Sequence, residues 1–382
     1  MIQPKALFLQ VTNPGAYPPL MHAGAILAEL GWDVTYLSAP SKSSDLVLPK
    51  QAGIREYQTS PRKDFTVSAA DYFQYCSAAI GLSLKLRPDV IYVSDSLGTL
   101  PGLLARLICK SIVVYHEHDS PNRQSDLNPL IRRSRAQMLK LANVVVFPNA
   151  ERARHVRTEV PFLLDKLKVV WNLPRRKEVS TNSPSLDSAR PFTLYYHGSI
   201  TPDRIPFTLV ETLKRFGGSV HLVIAGYESG SNVGYVESLI KAVEGTPIEG
   251  CIRYLGQVQR SDLFTTAQIG DLGLALMPPE SDDVNMAHMA GASNKAFEYM
   301  ACGLMPLVSH LPEWIDMFVT PNFAVAADPR SVDSLYDTIS SVILNVDTHR
   351  AGNQMRRAKI LDDWNYDRVF CDAVLPLLSK KS

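Results

Sequence analysis

The residues best suited to chemistry lie in the segment Ala292–Gly303, which reads ASNKAFEYMACG. Ser293 and Asn294 are typical helix N-cap residues, and Gly303 is typical of the position just past a helix end. The free backbone N–H groups and the dipole of a helix start favour a bound phosphate, and Lys295 adds a positive charge in the first turn. The pattern predicts a short helix whose N-terminus holds a diphosphate.

A carboxylate in the same helix extends this predicted site. Glu298 follows Lys295 by three residues and Asn294 by four, so the three side chains can share one face of the helix. A carboxylate beside a bound phosphate can accept hydrogen bonds from two ribose hydroxyls. The pattern therefore predicts a nucleotide site. An ordinary amphipathic helix with solvated Lys and Glu side chains is the alternative.

A second group of polar residues follows a predicted strand in the first half of the chain. The apolar run Ile112–Tyr115 reads as a buried strand, and directly after it come His116, Glu117, His118 and Asp119. In doubly wound parallel sheets, ligands bind beyond the carboxyl ends of the strands. Imidazole and carboxylate groups at such an end can act as base, acid or hydrogen-bonding partner. Histidines that bond only to loop carbonyls are the structural alternative.

These groups need a scaffold, and both halves of the chain predict strands that alternate with helices. In the first half the predicted strands are Ala6–Val11, Val34–Ser38, Val90–Ser94, Ile112–Tyr115, Val144–Phe147 and Val169–Leu173. In the second half they are Phe192–Tyr196, Val220–Gly226, Ile252–Leu255, Leu272–Met277 and Met305–Ser309. Such alternation predicts the α/β class, with a doubly wound parallel sheet in each half.

The polar stretch Pro174–Pro191, rich in Pro, Ser and charged residues, is predicted to link the two halves. The predicted domains are residues 1–176 and 191–360, joined by a linker at residues 177–190. Residues 361–382 are predicted to form a C-terminal helical segment that starts near Tyr366. A chain of 382 residues is long enough for two such domains.

Composition excludes several classes of protein. A net charge of +1 implies no bulk attraction to nucleic acid. The five cysteines are scattered without a CxxC pair, which argues against a zinc site or a disulfide framework and favours the cytoplasm. The apolar run Ala6–Val11 is too short for a signal-peptide core. No run approaches the ~20 apolar residues of a membrane span, while peripheral membrane contact stays open.

The run SNKAFEYMACGLMPLVS, which begins at Ser293, resembles the donor-site segment of family 4 retaining glycosyltransferases of the GT-B fold. The resemblance implies two Rossmann-like domains facing across a cleft, with a C-terminal helix that crosses back to the first domain. It also implies that Ser293, Asn294 and Lys295 hold the donor diphosphate and that Glu298 holds the ribose. The resemblance is strong over residues 192–310 and weak in the first half.

Other matches to the family pattern imply further site residues. Arg204, six residues after Gly198, matches a basic residue that binds phosphate, and His116 matches a histidine beside the reacting sugar. The resemblance thus makes His116, Arg204 and Lys295 the predicted catalytic residues. The remaining predicted donor contacts are Gly15, Gly198, Gly256, Gln257 and Val258.

The chain also departs from the family pattern. Many members carry an acidic residue eight positions before the glutamate that matches Glu298, and Ala290 stands there instead. Glu280, in the acidic loop Pro278–Asp283, is the candidate substitute, and this loop is a candidate lid. The two other departures are Ser199 in place of an arginine and Ala16 in place of a glycine.

The predicted activity is transfer of a sugar from a UDP- or GDP-linked donor to a hydroxyl acceptor, with retention at the anomeric carbon and without a metal or other cofactor. An epimerase or hydrolase of nucleotide sugars on the same fold is one alternative. A non-catalytic partner subunit is the other, and the departures at Ala290, Ser199 and Ala16 favour it. The retained Arg204, Lys295 and Glu298 argue against it.

Overall fold

The computed structural model describes residues 3–39, 45–60, 68–123, 126–160, 165–180, 190–228 and 230–378. The chain divides into two compact units. The first contains the chain up to Asn172, the segment Asp283–Ala292 and the chain from Tyr366 onward. The second contains Leu173–Asp282 and Ser293–Asn365. The sequence-based boundaries did not foresee that Asp283–Ala292 is part of the first unit.

The described part of the first unit contains a parallel sheet of seven strands in the order β3-β2-β1-β4-β5-β6-β7. The strands are β1 Lys5–Gln10, β2 Asp33–Ser38, β3 Ile54–Gln58, β4 Val90–Ser94, β5 Ile112–His116, β6 Val144–Phe147 and β7 Leu167–Val169. The helices between them are α1 Pro18–Glu29, α2 Ala69–Leu86, α3 Thr99–Ile108, α4 Pro129–Leu141 and α5 Ala150–Glu159. The predicted doubly wound parallel sheet is confirmed.

The described part of the second unit contains a parallel sheet of six strands in the order β10-β9-β8-β11-β12-β13. The strands are β8 Phe192–Ile200, β9 Val220–Glu228, β10 Ile252–Tyr254, β11 Leu272–Ala275, β12 Met305–Ser309 and β13 Val325–Ala327. The helices that follow in chain order are α6 Thr208–Arg215, α7 Tyr235–Lys241, α8 Arg260–Ala267, α9 Val284–Ala287, α10 Lys295–Cys302, α11 Pro312–Trp314, α12 Val332–Leu344, α13 Val346–Ala351, α14 Asn353–Asp362, α15 Tyr366–Ala373 and α16 Leu375–Leu378. Of these, α9, α15 and α16 belong to the first unit.

Each sheet has its own apolar core. In the first unit, β1 and β4 are buried along almost their whole length, as expected of central parallel strands covered by helices on both faces. In the second unit, the core is built around alternating residues of β8 and β9 such as Leu194, Tyr196 and Leu222. Burial on both faces explains why these strands appear in the sequence as continuous apolar runs.

Several predicted element bounds were wrong. The strand predicted at Val169–Leu173 lies earlier, at Leu167–Val169, and the strand predicted to end at Tyr196 continues to Ile200 because it pairs with β9 along its full length. The predicted final helix, Tyr366–Leu378, is divided into α15 and α16, with Pro376 in the first turn of the second, where a proline is tolerated. Most of the predicted linker, residues 181–189, lies outside the described residues.

The predicted return of the C-terminal helical segment to the first domain is confirmed, because the chain from Tyr366 onward belongs to the first unit. The ring of Tyr366 lies edge-on to that of His22 in α1, with centroids 5.3 Å apart. Within the described ranges, no helix is both long and apolar enough to cross a membrane.

Candidate functional site

The second unit brings Gly198 of β8 against Lys295 of α10. Gly198 has a φ of 112°, which favours glycine, and a Cβ there would lie 3.2 Å from Lys295 Cε and 3.3 Å from Lys295 Nζ. Its register partner is Gly226 of β9, where a Cβ would lie 1.9 Å from the carbonyl oxygen of Gly198. The two glycines therefore allow the strand ends to approach each other and the lysine.

Two cations meet at this point. Lys295 is buried, and its ammonium lies 5.5 Å from the centroid of the Tyr196 ring. The guanidinium of Arg204 donates a hydrogen bond to the hydroxyl of Ser199, the residue that replaces the arginine usual in the family. Burial, followed by the neighbouring Arg204, lowers the pKa of Lys295 to about 7. Two neighbouring cations, one of them buried, are costly alone, and a bound anion would relieve that cost.

The start of α10 differs from the predicted cap. Asn294 is the N-cap residue, but its backbone is helical and its side chain makes no cap hydrogen bond. The hydroxyl of Ser293 is buried and has no hydrogen-bond partner among the described residues. Neither side chain thus caps the helix start, as suits a start that receives an anion. Gly303 ends the helix in the left-handed conformation, with φ 78°, as predicted.

The carboxylate of Glu298 lies inside the second unit, with 1% of its side chain exposed. His197 Nε2 lies 2.8 Å from Oε2 of Glu298, and the guanidinium of Arg260 donates to Oε1. Burial alone would raise the pKa of Glu298, but Arg260 and His197 hold it at about 2. Burial lowers the pKa of His197 despite this contact, so a neutral imidazole donates to a charged carboxylate. The solvated-helix alternative for Glu298 is wrong, because the whole of α10 is packed.

The predicted base-contact loop lies next to the glycine pair. Gly256 has a φ of 73°, and its carbonyl accepts a hydrogen bond of 2.7 Å from the backbone N–H of Gly226. Gln257 and Val258 follow and are half-buried. This bond places the loop beside the β8–β9 pair that carries Gly198. The base contact itself stays a prediction.

Glu280, the predicted substitute for the missing acid, is exposed. Its side chain is 91% accessible and lies 4.0 Å from Arg330. It contacts neither Lys295 nor Arg204 among the described interactions. Its role stays a prediction.

The first unit holds the other predicted residues, His116 and Gly15. His116 is fully buried, and its Nδ1 lies 2.8 Å from the hydroxyl of Tyr92. Its ring lies 3.8 Å, centroid to centroid, from that of His118. Burial, reinforced by His118, lowers the pKa of His116 well below its ordinary value, and burial with Arg152 lowers that of His118 to about 3. Both imidazoles are therefore neutral at pH 7.

Each of these two imidazoles keeps one nitrogen available. Nε2 of His116 and Nε2 of His118 are buried and have no hydrogen-bond partner within the described ranges. In the tautomer where the Tyr92 hydroxyl donates to Nδ1, the proton of a neutral His116 is on Nε2; in the other tautomer Nε2 is an acceptor. The pair can therefore act as hydrogen-bonding groups through these nitrogens, and their role at the site stays a prediction. Asp119 is exposed, with 70% of its side chain accessible.

Gly15 lies in a short 3₁₀ turn, Pro14–Ala16, and is buried. A Cβ on it would lie 3.0 Å from backbone atoms of Val47, so the glycine is required by close backbone packing. Its N–H donates to the side chain of Asn13. The predicted phosphate contact of Gly15 stays a prediction.

Asp95 is a functional candidate that the sequence reading passed over. It follows β4 with φ 57° and ψ 174°, a strained conformation for a residue with a side chain. Its carboxylate accepts hydrogen bonds from the backbone N–H groups of His118, at 2.7 Å, and Asp119, at 3.3 Å. Burial, followed by Asp119, raises its pKa well above the ordinary value. The sequence signal that could have identified Asp95 was its position directly after β4, the strand that pairs with β5.

The segment Asp283–Ala292, which carries Ala290, is held by several side chains of the first unit, among them Asn149 and Arg152. The amide of Asn149 donates to the carbonyl oxygens of His288, at 2.8 Å, and Ala290, at 3.0 Å. The guanidinium of Arg152 donates to the carbonyl oxygen of Asn285 at 2.7 Å. The position where the family carries an acid is thus a backbone acceptor here.

Several solved structures have a fold similar to that of this chain. Sucrose-phosphate synthase from Thermosynechococcus elongatus has a TM-score of 0.72 at 13% identity, with 97% of each chain covered. HepE of Anabaena, solved in complex with UDP-glucose, has a TM-score of 0.73 at 15% identity, covering 98% of this chain and 100% of that one. A glycosyltransferase from Rickettsia africae has a TM-score of 0.72 at 13% identity, with 100% of each chain covered. The two parallel α/β units therefore have the GT-B fold.

A family model also matches part of the chain. Residues 22–173 match the family model described as Glycosyltransferase Family 4. The resemblance to family 4 glycosyltransferases is confirmed, although the match falls in the first half, where the sequence motifs had appeared weak. No curated protein matches the chain significantly.

Proposed function

We propose that this protein is a glycosyltransferase that moves a sugar from a nucleoside-diphosphate donor to a hydroxyl acceptor with retention of configuration. The observation that carries the proposal is the meeting of Lys295 and Arg204 beside the uncapped start of α10. This arrangement supports a diphosphate site, and Glu298 lies one turn further along the same helix. The match to Glycosyltransferase Family 4 supports a transferase.

The electrostatics suit a departing diphosphate. When the bond between the anomeric carbon and the phosphate oxygen breaks, its electron pair leaves with the phosphate. Lys295, Arg204 and the N–H groups of α10 would stabilise that charge, so these groups can act without a metal ion. Retention brings the acceptor oxygen to the face that the phosphate leaves. The departing phosphate oxygen is then the nearest base for the acceptor proton.

The donor is proposed to be a UDP- or GDP-linked sugar, and UDP is the first to test. HepE of Anabaena, with the same fold, was solved with UDP-glucose. His116 is proposed, from the family resemblance, to contact the donor sugar as a neutral hydrogen-bonding group. The proposed location is the cytoplasm.

Isothermal calorimetry with UDP, GDP, CDP and ADP tests the site, and mass spectrometry of a donor panel tests the reaction. We expect one diphosphate to bind with a Kd set mainly by Lys295 and Arg204, and the matching donor to be hydrolysed slowly without an acceptor. Binding that is unchanged in Lys295→Met would show that the diphosphate site lies elsewhere. An inverted anomeric proton in the NMR spectrum of the product would exclude retention.

A further inference from the structure

Four side chains of the second unit form a continuous hydrogen-bonded network behind the proposed ribose site. Glu178 pairs with Arg260 through two bonds, Oε1 to Nε at 2.8 Å and Oε2 to Nη2 at 2.9 Å. The third guanidinium nitrogen, Nη1, donates to Oε1 of Glu298, and His197 Nε2 lies 2.8 Å from Oε2. The exposed fractions along the series are 16% for Glu178, 10% for Arg260, 1% for Glu298 and 3% for His197. Because these side chains are largely shielded from water, each hydrogen bond is stronger than it would be in solvent and its loss costs more.

The network determines how the carboxylate of Glu298 is turned. The terminal torsion of a glutamate is broad, so an isolated Glu298 would sample many orientations. Here one donor is fixed on each oxygen, Arg260 on Oε1 and His197 on Oε2. A carboxylate has about four acceptor positions, so each oxygen retains one for a further donor. The two vicinal hydroxyls of a ribose can donate one hydrogen bond to each of these two remaining positions.

Arg260 is itself held from the opposite side. A planar guanidinium presents its donors in a rigid fork, and the bidentate bond to Glu178 uses two of its nitrogens. Oε2 of Glu178 also accepts a 2.7 Å bond from the backbone N–H of Arg175, at the start of the turn Arg176–Glu178. The guanidinium carbon lies 5.2 Å from the Phe264 ring, which packs along it. The orientation of Arg260 is therefore fixed by contacts that do not involve a nucleotide.

We propose that Arg260 is a positioning residue for the ribose of the bound nucleotide: it acts through Glu298 and is itself fixed by Glu178. The inference rests on the proposed function, because it requires that Glu298 binds the ribose. It adds residues that lie outside the predicted site. Glu178 had been assigned to the linker, and Arg260 was not among the predicted site residues.

The sharpest test compares a ribonucleotide with its 2′,3′-dideoxy analogue, because only the first can bond to Glu298. Calorimetry would measure Kd for UDP and 2′,3′-dideoxy-UDP, with the GDP pair run in parallel, in wild type, Arg260→Met and Glu178→Gln. Loss of hydrogen bonds to a charged group corresponds to about tenfold to a hundredfold in affinity. We expect Arg260→Met to weaken the ribonucleotide by about tenfold and to leave the dideoxy analogue unchanged. Glu178→Gln should give a smaller effect in the same direction.

A matched control is available in the same unit. Arg190 forms a bidentate ion pair with Asp271, at 2.7 and 2.8 Å, and contacts none of the four network residues in the described structure. Arg190→Met removes an ion pair of similar geometry. It should change the free energy of unfolding and leave the ratio of the two Kd values as in wild type.

The pH dependence of that ratio provides a second readout. The titratable groups that face Glu298 are His197, Arg260, Lys295, Tyr195, Tyr299 and Cys302. Burial raises the pKa of Tyr195, Tyr299 and Cys302, so these stay neutral at pH 5 to 7. In wild type the ratio should be flat there, because the pKa of Glu298 is about 2. In Arg260→Met the pKa of Glu298 should rise, and the preference for ribose should fall as the pH is lowered. Any effect of Lys295 on phosphate binding cancels in the ratio.

The outcomes separate this inference from the proposed function. If Arg260→Met weakens both nucleotides equally, or neither, Arg260 does not position the ribose. If wild type binds UDP and its dideoxy analogue equally tightly, the ribose contact is absent, while nucleotide binding stands. If wild type binds neither the UDP pair nor the GDP pair, the proposed function fails and this inference with it.

Discussion

The carboxylate of Glu117 and the guanidinium of Arg135 form a buried bidentate ion pair, with Oε2–Nε at 2.6 Å and Oε1–Nη2 at 2.7 Å. The hydroxyls of Tyr115, at 2.5 Å, and Ser120, at 2.6 Å, also donate to this carboxylate. Burial alone would raise the pKa of Glu117, but Arg135 and these donors hold it below its ordinary value. Glu117 thus anchors the turn after β5, between the two histidines.

Glu117→Gln should destabilise the protein strongly, because it leaves the charge of Arg135 buried without its partner. Breaking a buried ion pair costs about 3–5 kcal/mol. Since the folded-state pKa of Glu117 is depressed, its contribution is present above the unfolded pKa and is lost as the pH falls. Urea denaturation at pH 7 and pH 4 should therefore show a smaller difference between variant and wild type at pH 4. Glu151→Gln, which removes an exposed pair with Arg154, is the control and should change stability little.

His116→Ala should lower turnover by a large factor while the Kd for the nucleotide changes little. The reason is that His116 is proposed to contact the sugar, whereas the phosphate contacts belong to Lys295 and Arg204. Tyr92→Phe removes the hydrogen bond to Nδ1 of His116 but keeps the imidazole, and it should give a smaller loss of kcat. Equal losses in turnover and nucleotide affinity for His116→Ala would indicate a structural role.

Nucleotide binding should take up a proton above pH 7. The pKa of Lys295 is about 7 in the free protein, and a bound diphosphate would raise it. Affinity should therefore fall as the pH increases from 7 to 9, by at most about tenfold per pH unit. Calorimetry in two buffers of different ionisation enthalpy would measure the proton directly. The uptake should disappear in Lys295→Met, and its persistence there would assign it to another group.

Glu298→Ala should weaken UDP binding by about tenfold to a hundredfold, because hydrogen bonds to a charged group are lost. Unlike a substitution on a solvated helix, it should also lower the free energy of unfolding, because Arg260 and His197 lose a buried acceptor. Glu298→Gln keeps one acceptor oxygen and should lose less of both. Calorimetry and urea denaturation together would measure the two effects. A Glu298→Ala variant that binds UDP as tightly as wild type would exclude the ribose contact.

The sequence predicted the inner strands of both sheets, because continuous apolar runs such as those of β1 and β4 reflect burial on both faces. It also predicted the end of α10 at Gly303, where a left-handed backbone requires a small residue. These features depend on local chemistry, which a single sequence displays directly. The sequence did not predict the edge strands β3 and β13.

The network behind Glu298 could not be predicted, because its members are far apart in the chain. Glu178 and Arg260 are separated by 82 residues, and Arg260 and Glu298 by 38. A charged residue in a polar stretch looks solvated until its partner is known. For the same reason the sequence did not predict the ion pair of Glu117, because its partner Arg135 lies 18 residues further along the chain, in α4.

Arg152 helps to hold the segment Asp283–Ala292 of the first unit in place. Its guanidinium is buried and donates to the carbonyl oxygens of His118, at 2.5 Å, and Asn285, at 2.7 Å. It thereby joins the turn after β5 to the segment that immediately precedes Ser293. Arg152→Met should remove these bonds and allow the segment to open locally.

Hydrogen–deuterium exchange followed by mass spectrometry would detect this opening. We expect peptides within residues 283–292 to exchange faster in Arg152→Met by about tenfold or more, because bonds to a charged donor are lost. The strand β5 should exchange as in wild type. Arg154→Met, on the exposed face of the same helix, is the matched control and should leave residues 283–292 unchanged. Unchanged exchange in Arg152→Met would show that the other contacts of the segment, such as those from Asn149 and Asn172, hold it without Arg152. Faster exchange throughout β5 as well would show that Arg152 stabilises the whole unit rather than this segment.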